Sequence, residues 1–118
     1  MPVSIISHQD KQIILIDYKP CKNKEEMIAT AREAASLFKQ QPGKVLAVSD
    51  FTGTYGSEEY MNEVKKLSVE VFRAKTEKAA AIGITGIKKV LLKSFNAFSV
   101  NKLKPFDTME DALDYLVS

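Results

Sequence analysis

Short apolar runs alternate with segments of helical periodicity along this chain, and that alternation constrains the fold more than any other feature. The predicted order of elements is β-β-α-β-α-β-α-β-α. Strands that alternate with helices favour a mostly parallel sheet, because each right-handed crossover lays the next strand parallel to the previous one. The predicted strands cover residues 3–7, 12–18, 45–49, 79–84 and 103–106. We therefore expect an α/β fold in which a mixed, mostly parallel sheet of about five strands is flanked by helices.

The first two strands are the antiparallel exception. A polar turn over residues 8–11 joins them, which is typical of a β-hairpin. The second strand is continuously apolar over residues 13–16, so we expect it to be buried on both faces. Pro105 places the last strand at an edge of the sheet.

Residues that cap helix N-termini mark the helix starts. Asn23 and Thr108 stand at capping-box spacing from an acidic residue. Ser57 can cap a long helix over residues 58–75. A further helix follows Thr85 and Gly86 directly. Its predicted buried face consists of Ile87, Val90, Leu91, Phe95 and Phe98.

The composition excludes several classes of protein. A length of 118 residues suits one domain, which we assign to residues 1–118. The net charge of +2 is too small to favour nucleic-acid binding. Cys21 and His8 are single residues of their kinds, so they predict neither an internal disulfide nor a four-ligand zinc site. We find no signal peptide and no membrane-spanning stretch, and we expect a cytoplasmic domain without a metal or cofactor.

Two loops follow predicted parallel strands, and ligands of open α/β sheets usually bind at such strand ends. If the two strands are neighbours, the loops bring hydroxyl groups, free backbone N–H groups and lysines together, which suits an anion such as phosphate. The candidate residues are Thr52, Gly53, Thr54, Ser57, Thr85, Gly86, Lys88 and Lys89. The alternative is a solvated basic face, since residues 86–104 hold five lysines and no acid.

No catalytic constellation is visible in the sequence. Neither glycine-containing loop has the spacing of a Walker A or a Rossmann fingerprint. His8 lies in a turn, Cys21 has the character of a small packing residue, and Asp50 is placed to hydrogen-bond its own loop. We therefore predict that the chain is not an enzyme. Tyr55 lies near the tip of the loop and is a candidate contact for a partner.

Three stretches carry a resemblance to a known superfamily: residues 45–53 (VLAVSDFTG), residues 79–93 (AAAIGITGIKKVLLK) and residues 105–116 (PFDTMEDALDYL). In order and spacing they resemble the STAS, or SpoIIAA-like, superfamily, in its branch of STAS/CRAL-TRIO-like bacterial proteins of uncharacterised function. The resemblance implies a sheet of five strands flanked by helices and no known enzymatic activity. The CRAL-TRIO side of the comparison suggests an apolar ligand pocket.

In the regulatory STAS proteins, phosphorylation of a serine switches partner binding. That serine begins the helix after the central strand, in an Asp-Ser-Ser-Gly motif. Residues 54–57 read Thr-Tyr-Gly-Ser, so the motif is absent and Ser57 is the nearest match by position. The resemblance makes Ser57 a candidate phospho-acceptor.

The sequence thus predicts a non-enzymatic regulatory or protein-interaction domain of STAS-like type. Its partner surface would be the 51–57 loop and the start of the following helix. The alternative is a small-molecule binding domain, which would hold either a phosphorylated ligand at the helix N-termini or a lipid under the helix at 58–75. Exposed apolar residues on that helix would also permit a homodimer.

Overall fold

The computed structural model describes residues 2–98 and 102–118. The strands are β1 (Val3–His8), β2 (Lys11–Asp17), β3 (Val45–Asp50), β4 (Thr76–Ile82) and β5 (Leu103–Phe106). The helices are α1 (Lys24–Gln40), α2 (Glu58–Leu67), α3 (Arg73–Lys75), α4 (Ile87–Phe98) and α5 (Met109–Val117). A π-helical turn, Ser68–Phe72, joins α2 to α3.

The strands form one five-stranded sheet in the order β1-β2-β3-β4-β5. β1 is antiparallel to β2, and each later strand is parallel to the one before it. The hairpin closes through Gln9 and Asp10, whose φ angles of 50° and 66° are those of a two-residue turn. The predicted mixed, mostly parallel sheet is confirmed, and so is the edge position of β5.

The sheet carries a hydrophobic core on each face. Because the strands lie in chain order and the crossovers are right-handed, α1, α2 and α4 all pack on the same face, which we call the crossover face. Phe38 of α1 is a central residue of that core. In the described part of the chain, α5 covers the opposite face, where Leu116 packs with Val48 and Ile82.

The predicted caps fix where three helices begin. Glu26 N donates to Asn23 Oδ1 at 2.9 Å, and Asp111 N donates to Thr108 Oγ1 at 3.1 Å. Ser57 Oγ accepts from Tyr60 N at 3.1 Å. Such a cap stabilises a helix by about 1 kcal/mol, because it satisfies a backbone N–H that has no partner within the helix.

The predicted bounds of β4 are wrong by two or three residues, and the predicted helix over residues 58–75 is not continuous. β4 begins at Thr76, not at residue 79. The prediction started too late because Glu77 and Lys78 are polar and lack the apolar character that marks a buried strand. The strand ends at Ile82, since Gly83 turns the chain with a φ of +78°. The predicted helix over residues 58–75 is interrupted by the π-helical turn.

The predicted buried face of α4 is also wrong in part. Ile87 is 66% exposed and Val90 is 61% exposed. Leu91 and Phe95 face inward as predicted, and Leu92, which was not predicted, faces inward with them. Apolar residues extend around most of this helix, so periodicity alone did not decide which side packs on the sheet.

Candidate functional site

The loops after β3 and β4 lie side by side, as the sequence predicted. The two strands are parallel neighbours, so they end at the same edge of the sheet. Phe51 N donates to the Ile82 carbonyl at 2.9 Å. Gly83 lies so close to the next residue of the first loop that a Cβ placed on it would overlap the backbone N of Thr52. The contact requires a residue without a side chain at position 83.

Helix α4 is attached to the first loop through its first turn. Lys88 Nζ donates to the Phe51 carbonyl at 2.9 Å. The same carbonyl accepts the Thr54 hydroxyl at 2.7 Å, and the Thr54 side chain is buried. Thr54 and Lys88 therefore serve the loop itself, and the threonine does not face solvent as an anion site would require.

The other candidate anion ligands stay at the surface. Thr52, Gly53, Thr85, Gly86 and Lys89 are exposed. Ser57 is half-buried and uses its hydroxyl oxygen as the cap of α2. The backbones of the two loops are thus in contact, whereas the described contacts do not bring the candidate side chains together at one point.

Asp50 provides the charge at the centre of the first loop. Its buried carboxylate accepts from Thr52 N at 3.0 Å and from Lys19 Nζ at 3.1 Å. Burial raises the pKa of the Asp50 carboxyl, but hydrogen bonds from Thr52 and the Lys19 ammonium outweigh it, so the pKa is lowered. This carboxylate already accepts the Thr52 N–H group that a phosphate would use, and its negative charge repels an anion. The phosphate site at these loops stays a prediction, and Asp50 argues against it.

A cavity of about 120 Å³ lies beneath α4, between that helix, α2 and the crossover face of the sheet. Its walls are mainly apolar. The sheet supplies Ala47 and Ala79, and Ile84 comes from the loop after β4. Met61, Val64 and Phe72 come from α2 and the π-helical turn, and Leu91, Leu92 and Phe95 come from α4.

Small side chains on the sheet explain why space remains there. Ala47 of β3 pairs with Ala79 of β4, and both line the cavity with Ser49 and Thr76. Larger side chains such as isoleucine at Ala47, Ser49 and Ala79 would fill the gap between sheet and helices, as they do in most strands. On the helix side, the π-helical turn places Ser68, which is 1% exposed, in the wall. Such turns occur frequently at functional sites.

Two buried tyrosines supply polar groups at one end of the cavity. The rings of Tyr18 and Tyr60 meet edge to face, with centroids 5.4 Å apart. Burial raises the pKa of both phenols well above the ordinary value, and a hydrogen bond between the two hydroxyls opposes this for Tyr18 and adds to it for Tyr60. The pair therefore stays neutral over the physiological pH range, and it offers hydroxyl groups rather than charge.

Two cations stand among the lining residues, Lys88 and Arg73. Lys88 belongs to the first turn of α4. At the other end of the helix, the Arg73 guanidinium lies 5.9 Å from the Phe98 ring centroid, and Lys65 Nζ lies at the same distance. Helix α4 is thus held at both ends by cationic side chains, while its middle turns cover the cavity. Within residues 87–98, no side chain of α4 is fully buried.

Within residues 2–98 and 102–118, no group of three or more His, Cys, Asp or Glu side chains is placed to hold a metal ion. None of the helices in the described ranges is both long enough and apolar enough to cross a membrane.

His8 Nε2 lies 2.9 Å from Asp114 Oδ1, a contact that joins the hairpin to α5.

The resemblance suggested an apolar ligand pocket and the sequence allowed a lipid under residues 58–75, but neither placed the cavity beneath α4, and the role of Gly83 was missed. One signal was available for the cavity: three consecutive alanines, residues 79–81, fill a strand where β-branched residues are typical. Gly83 was assigned to the interior of the strand. The contact that requires it comes from Thr52, which lies in a loop much earlier in the chain, so no local pattern predicts it.

No family model matches this chain, and no curated protein matches it. The solved structure of an uncharacterised protein from Shewanella loihica PV-4, a member of the DUF3478 family with a SpoIIAA-like fold, is similar to it. The two chains are 21% identical, and the match has a TM-score of 0.63 over 97% of this chain and 91% of the other. This chain therefore has a SpoIIAA-like fold, as the sequence resemblance implied.

Proposed function

We propose that this chain is a non-catalytic binding domain that holds a small apolar molecule in the cavity beneath α4. The observation that carries the proposal is the cavity itself. It is lined mainly by apolar side chains, and three small sheet residues, Ala47, Ser49 and Ala79, keep it open. Apolar pockets with a few polar groups are the usual form of small-molecule sites.

The volume limits the size of the part that enters. Apolar cavities of roughly 150 Å³ stay dry and bind benzene. A cavity of about 120 Å³ suits one small ring or the end of a short acyl chain. A longer ligand would have to extend past the rim of the cavity.

The polar groups suggest the chemistry of the ligand head. Lys88 and Arg73 are positively charged side chains that line the same space, and Lys88 also donates to the Phe51 carbonyl at 2.9 Å. A carboxylate head is attracted by either cation and adds to what burial of the apolar part provides. We therefore favour a short carboxylic acid, aliphatic or monocyclic, over a neutral hydrocarbon.

Calorimetric titration with hexanoate, benzoate and neutral hexanol tests the proposal. We expect both acids to bind and hexanol to bind more weakly. In the variant Ala79→Leu, three added carbon atoms occupy the cavity, so binding should weaken at least tenfold while the melting temperature stays equal or rises.

The matched control is Ala29→Leu, which adds the same atoms at an exposed position of α1. It should bind as the unmodified chain does. The proposal is wrong if none of the three compounds binds, or if Ala79→Leu folds normally and binds them with unchanged affinity.

A second candidate is the regulatory or protein-interaction domain that the sequence predicted. Its support is Tyr55, which is 87% exposed on the 51–57 loop. Capture of a partner from a lysate should then fail for Tyr55→Ala. The amount of captured partner should also change with Ser57→Glu, which adds a negative charge. It should stay the same with Ser57→Asn, because asparagine preserves the helix cap without adding charge. Equal capture by all three variants would contradict this candidate.

A further inference from the structure

Strand β1 forms one edge of the sheet, and one of its sides is unpaired. The strand order β1-β2-β3-β4-β5 leaves that side without a neighbouring strand in the described part of the chain. At one end of β1, Asp17 N donates to the Pro2 carbonyl at 2.7 Å. At the other end, His8 Nε2 lies 2.9 Å from Asp114 Oδ1 of α5. Both ends of the edge are therefore held in place within the single chain.

The pairing with β2 decides which backbone groups of β1 are free. In an antiparallel pair, residues alternate between those that exchange hydrogen bonds with the partner strand and those that do not. The bond from Asp17 to Pro2 assigns the even-numbered residues of β1 to β2. The N–H and C=O groups of Val3, Ile5 and Ser7 therefore point away from the sheet. No hydrogen bond between residues of the described ranges occupies these groups.

The sequence of β1 lacks the features that protect sheet edges from further pairing. Charged side chains, prolines and bulges are the usual protection. Residues 3–7 read Val-Ser-Ile-Ile-Ser, with neither charge nor proline, and the register between β1 and β2 is unbroken. The opposite edge strand, β5, is short and includes Lys104 and Pro105. Of these two edges, β1 is therefore the one suited to accept another strand.

We propose that β1 pairs antiparallel with β1 of a second copy of this chain, across a twofold axis at Ile5. In this register Ile5 lies opposite Ile5 of the second copy, and Val3 lies opposite Ser7. Each residue with free backbone groups then meets another such residue, so the contact forms about six hydrogen bonds. The two sheets become one continuous sheet.

The free edge fits a second copy because it is self-complementary. The three free residues are spaced symmetrically about Ile5, and no charged side chain meets its own copy at the axis. Ile5 is 44% exposed, and the same residue of the second copy would cover it as a cross-strand pair. Pairing of β1 with β5 of another copy would instead repeat without closing, and Lys104 and Pro105 oppose it.

The variant Ile5→Lys tests the twofold register. Residues of a hydrogen-bonded antiparallel pair have Cα atoms about 5.5 Å apart, so two lysines at the axis would bring like charges together. Dimerisation should weaken at least tenfold, as sedimentation equilibrium over a concentration series measures it. The position is exposed, so the circular dichroism spectrum should be unchanged.

Val90→Lys and Val69→Lys are matched controls. They place the same charge at two other exposed apolar positions, on α4 and in the π-helical turn. Both should dimerise as the unmodified chain does. The cavity variant Ala79→Leu should also dimerise normally, so a failure of the cavity proposal and a failure of edge pairing give different results.

Amide hydrogen exchange of the unmodified chain, followed by nuclear magnetic resonance, reports the register without any substitution. The even-numbered amides of β1 bond to β2 and should be protected at every concentration. The amides of Val3, Ile5 and Ser7 should exchange rapidly in dilute solution. Their exchange should slow at least fivefold at concentrations where most of the chain is dimeric.

Edge pairing is overturned if the unmodified chain stays monomeric throughout the concentration series, or if Ile5→Lys dimerises as well as the controls do. It is equally overturned if a dimer forms while the amides of Val3, Ile5 and Ser7 stay unprotected. A dimer that Val90→Lys or Val69→Lys dissociates, and Ile5→Lys does not, would place the contact on a helix and contradict the proposal.

Discussion

Substitution of three glycines by alanine tests whether the two strand-end loops contact each other as described. Gly83 has a φ of +78°, and a Cβ placed on it would meet the backbone of Thr52, with the Thr52 Cα 2.6 Å away. Gly53 has a φ of +74°, but nothing lies within 4 Å of its Cβ position. Gly43 has the same open surroundings without a left-handed backbone. The series separates backbone strain from steric contact.

The magnitudes differ enough to measure. A non-glycine residue in the left-handed region costs about 1 kcal/mol, so Gly53→Ala should lower the free energy of unfolding by that amount. Gly83→Ala has the same strain plus an overlap with backbone atoms that cannot rotate away. Overpacked sites in other proteins cost roughly 1–3 kcal/mol, so the free energy of unfolding should fall by that further amount. Gly43→Ala should be neutral or slightly stabilising, since alanine restricts the unfolded chain.

Urea unfolding followed by circular dichroism gives the three differences directly. At roughly 4 °C per kcal/mol, Gly83→Ala should melt about 10 °C below the unmodified chain and Gly53→Ala about 4 °C below it. Equal losses for Gly83→Ala and Gly53→Ala would refute the close contact between the loops, and with it the placement of α4 over the first loop.

Three further predictions concern buried polar groups. The pKa of Asp50 is lowered in the folded state, so its contribution to stability is present above the unfolded value of about 4 and is lost as pH falls through the folded value. The stability difference between the unmodified chain and Asp50→Asn, measured by urea unfolding, should therefore shrink below about pH 4. A difference that stays constant with pH would contradict the charged network. The pKa values of Tyr18 and Tyr60 are raised, so their contribution to folding stability is complete below about pH 10 and is lost as the pH rises through the folded values. In an ultraviolet titration, Tyr18→Phe and Tyr60→Phe should leave the phenolate signal near pH 10 unchanged. A loss of signal at that pH would show that these phenols are accessible. Thr54→Val removes a buried hydroxyl donor to Phe51 and should cost about 1 kcal/mol in thermal unfolding, whereas Thr54→Ser should cost less; the reverse order would contradict the hydrogen bond.

Local signals in the sequence were sufficient for the order of elements and for the helix starts. Asn23, Ser57 and Thr108 each act through a backbone N–H three residues away, so the cap is complete within one short stretch of chain. The parallel pairing followed from the alternation of strands and helices, because the handedness of a crossover is nearly invariant. The caps do not depend on distant contacts, and the strand pairing, which does, follows a general rule rather than particular residues.

The site depends on such contacts, and prediction was less successful there. The sequence identified the 51–57 loop and its neighbour but not the direction of their side chains: Thr54 turns inward, and Lys88 donates to a carbonyl of the other loop. For α4, the apolar pattern around most of the helix was compatible with two orientations. The predicted orientation buried Ile87 and Val90, which are in fact exposed. A cavity is a property of all its walls together, so the alanines of β4 hinted at it without defining its size.

Helix α5 has a consequence for how the chain acquires this fold during synthesis. Each crossover helix lies between the two strands that it joins, so one face of the sheet can be covered as the chain lengthens. The other face includes Leu46, Val48 and Ile82. It stays uncovered until α5 is synthesised, because α5 follows all five strands in the chain. A nascent chain that has emerged from the ribosome through β5 therefore carries an uncovered apolar surface, which favours aggregation or chaperone binding until α5 docks.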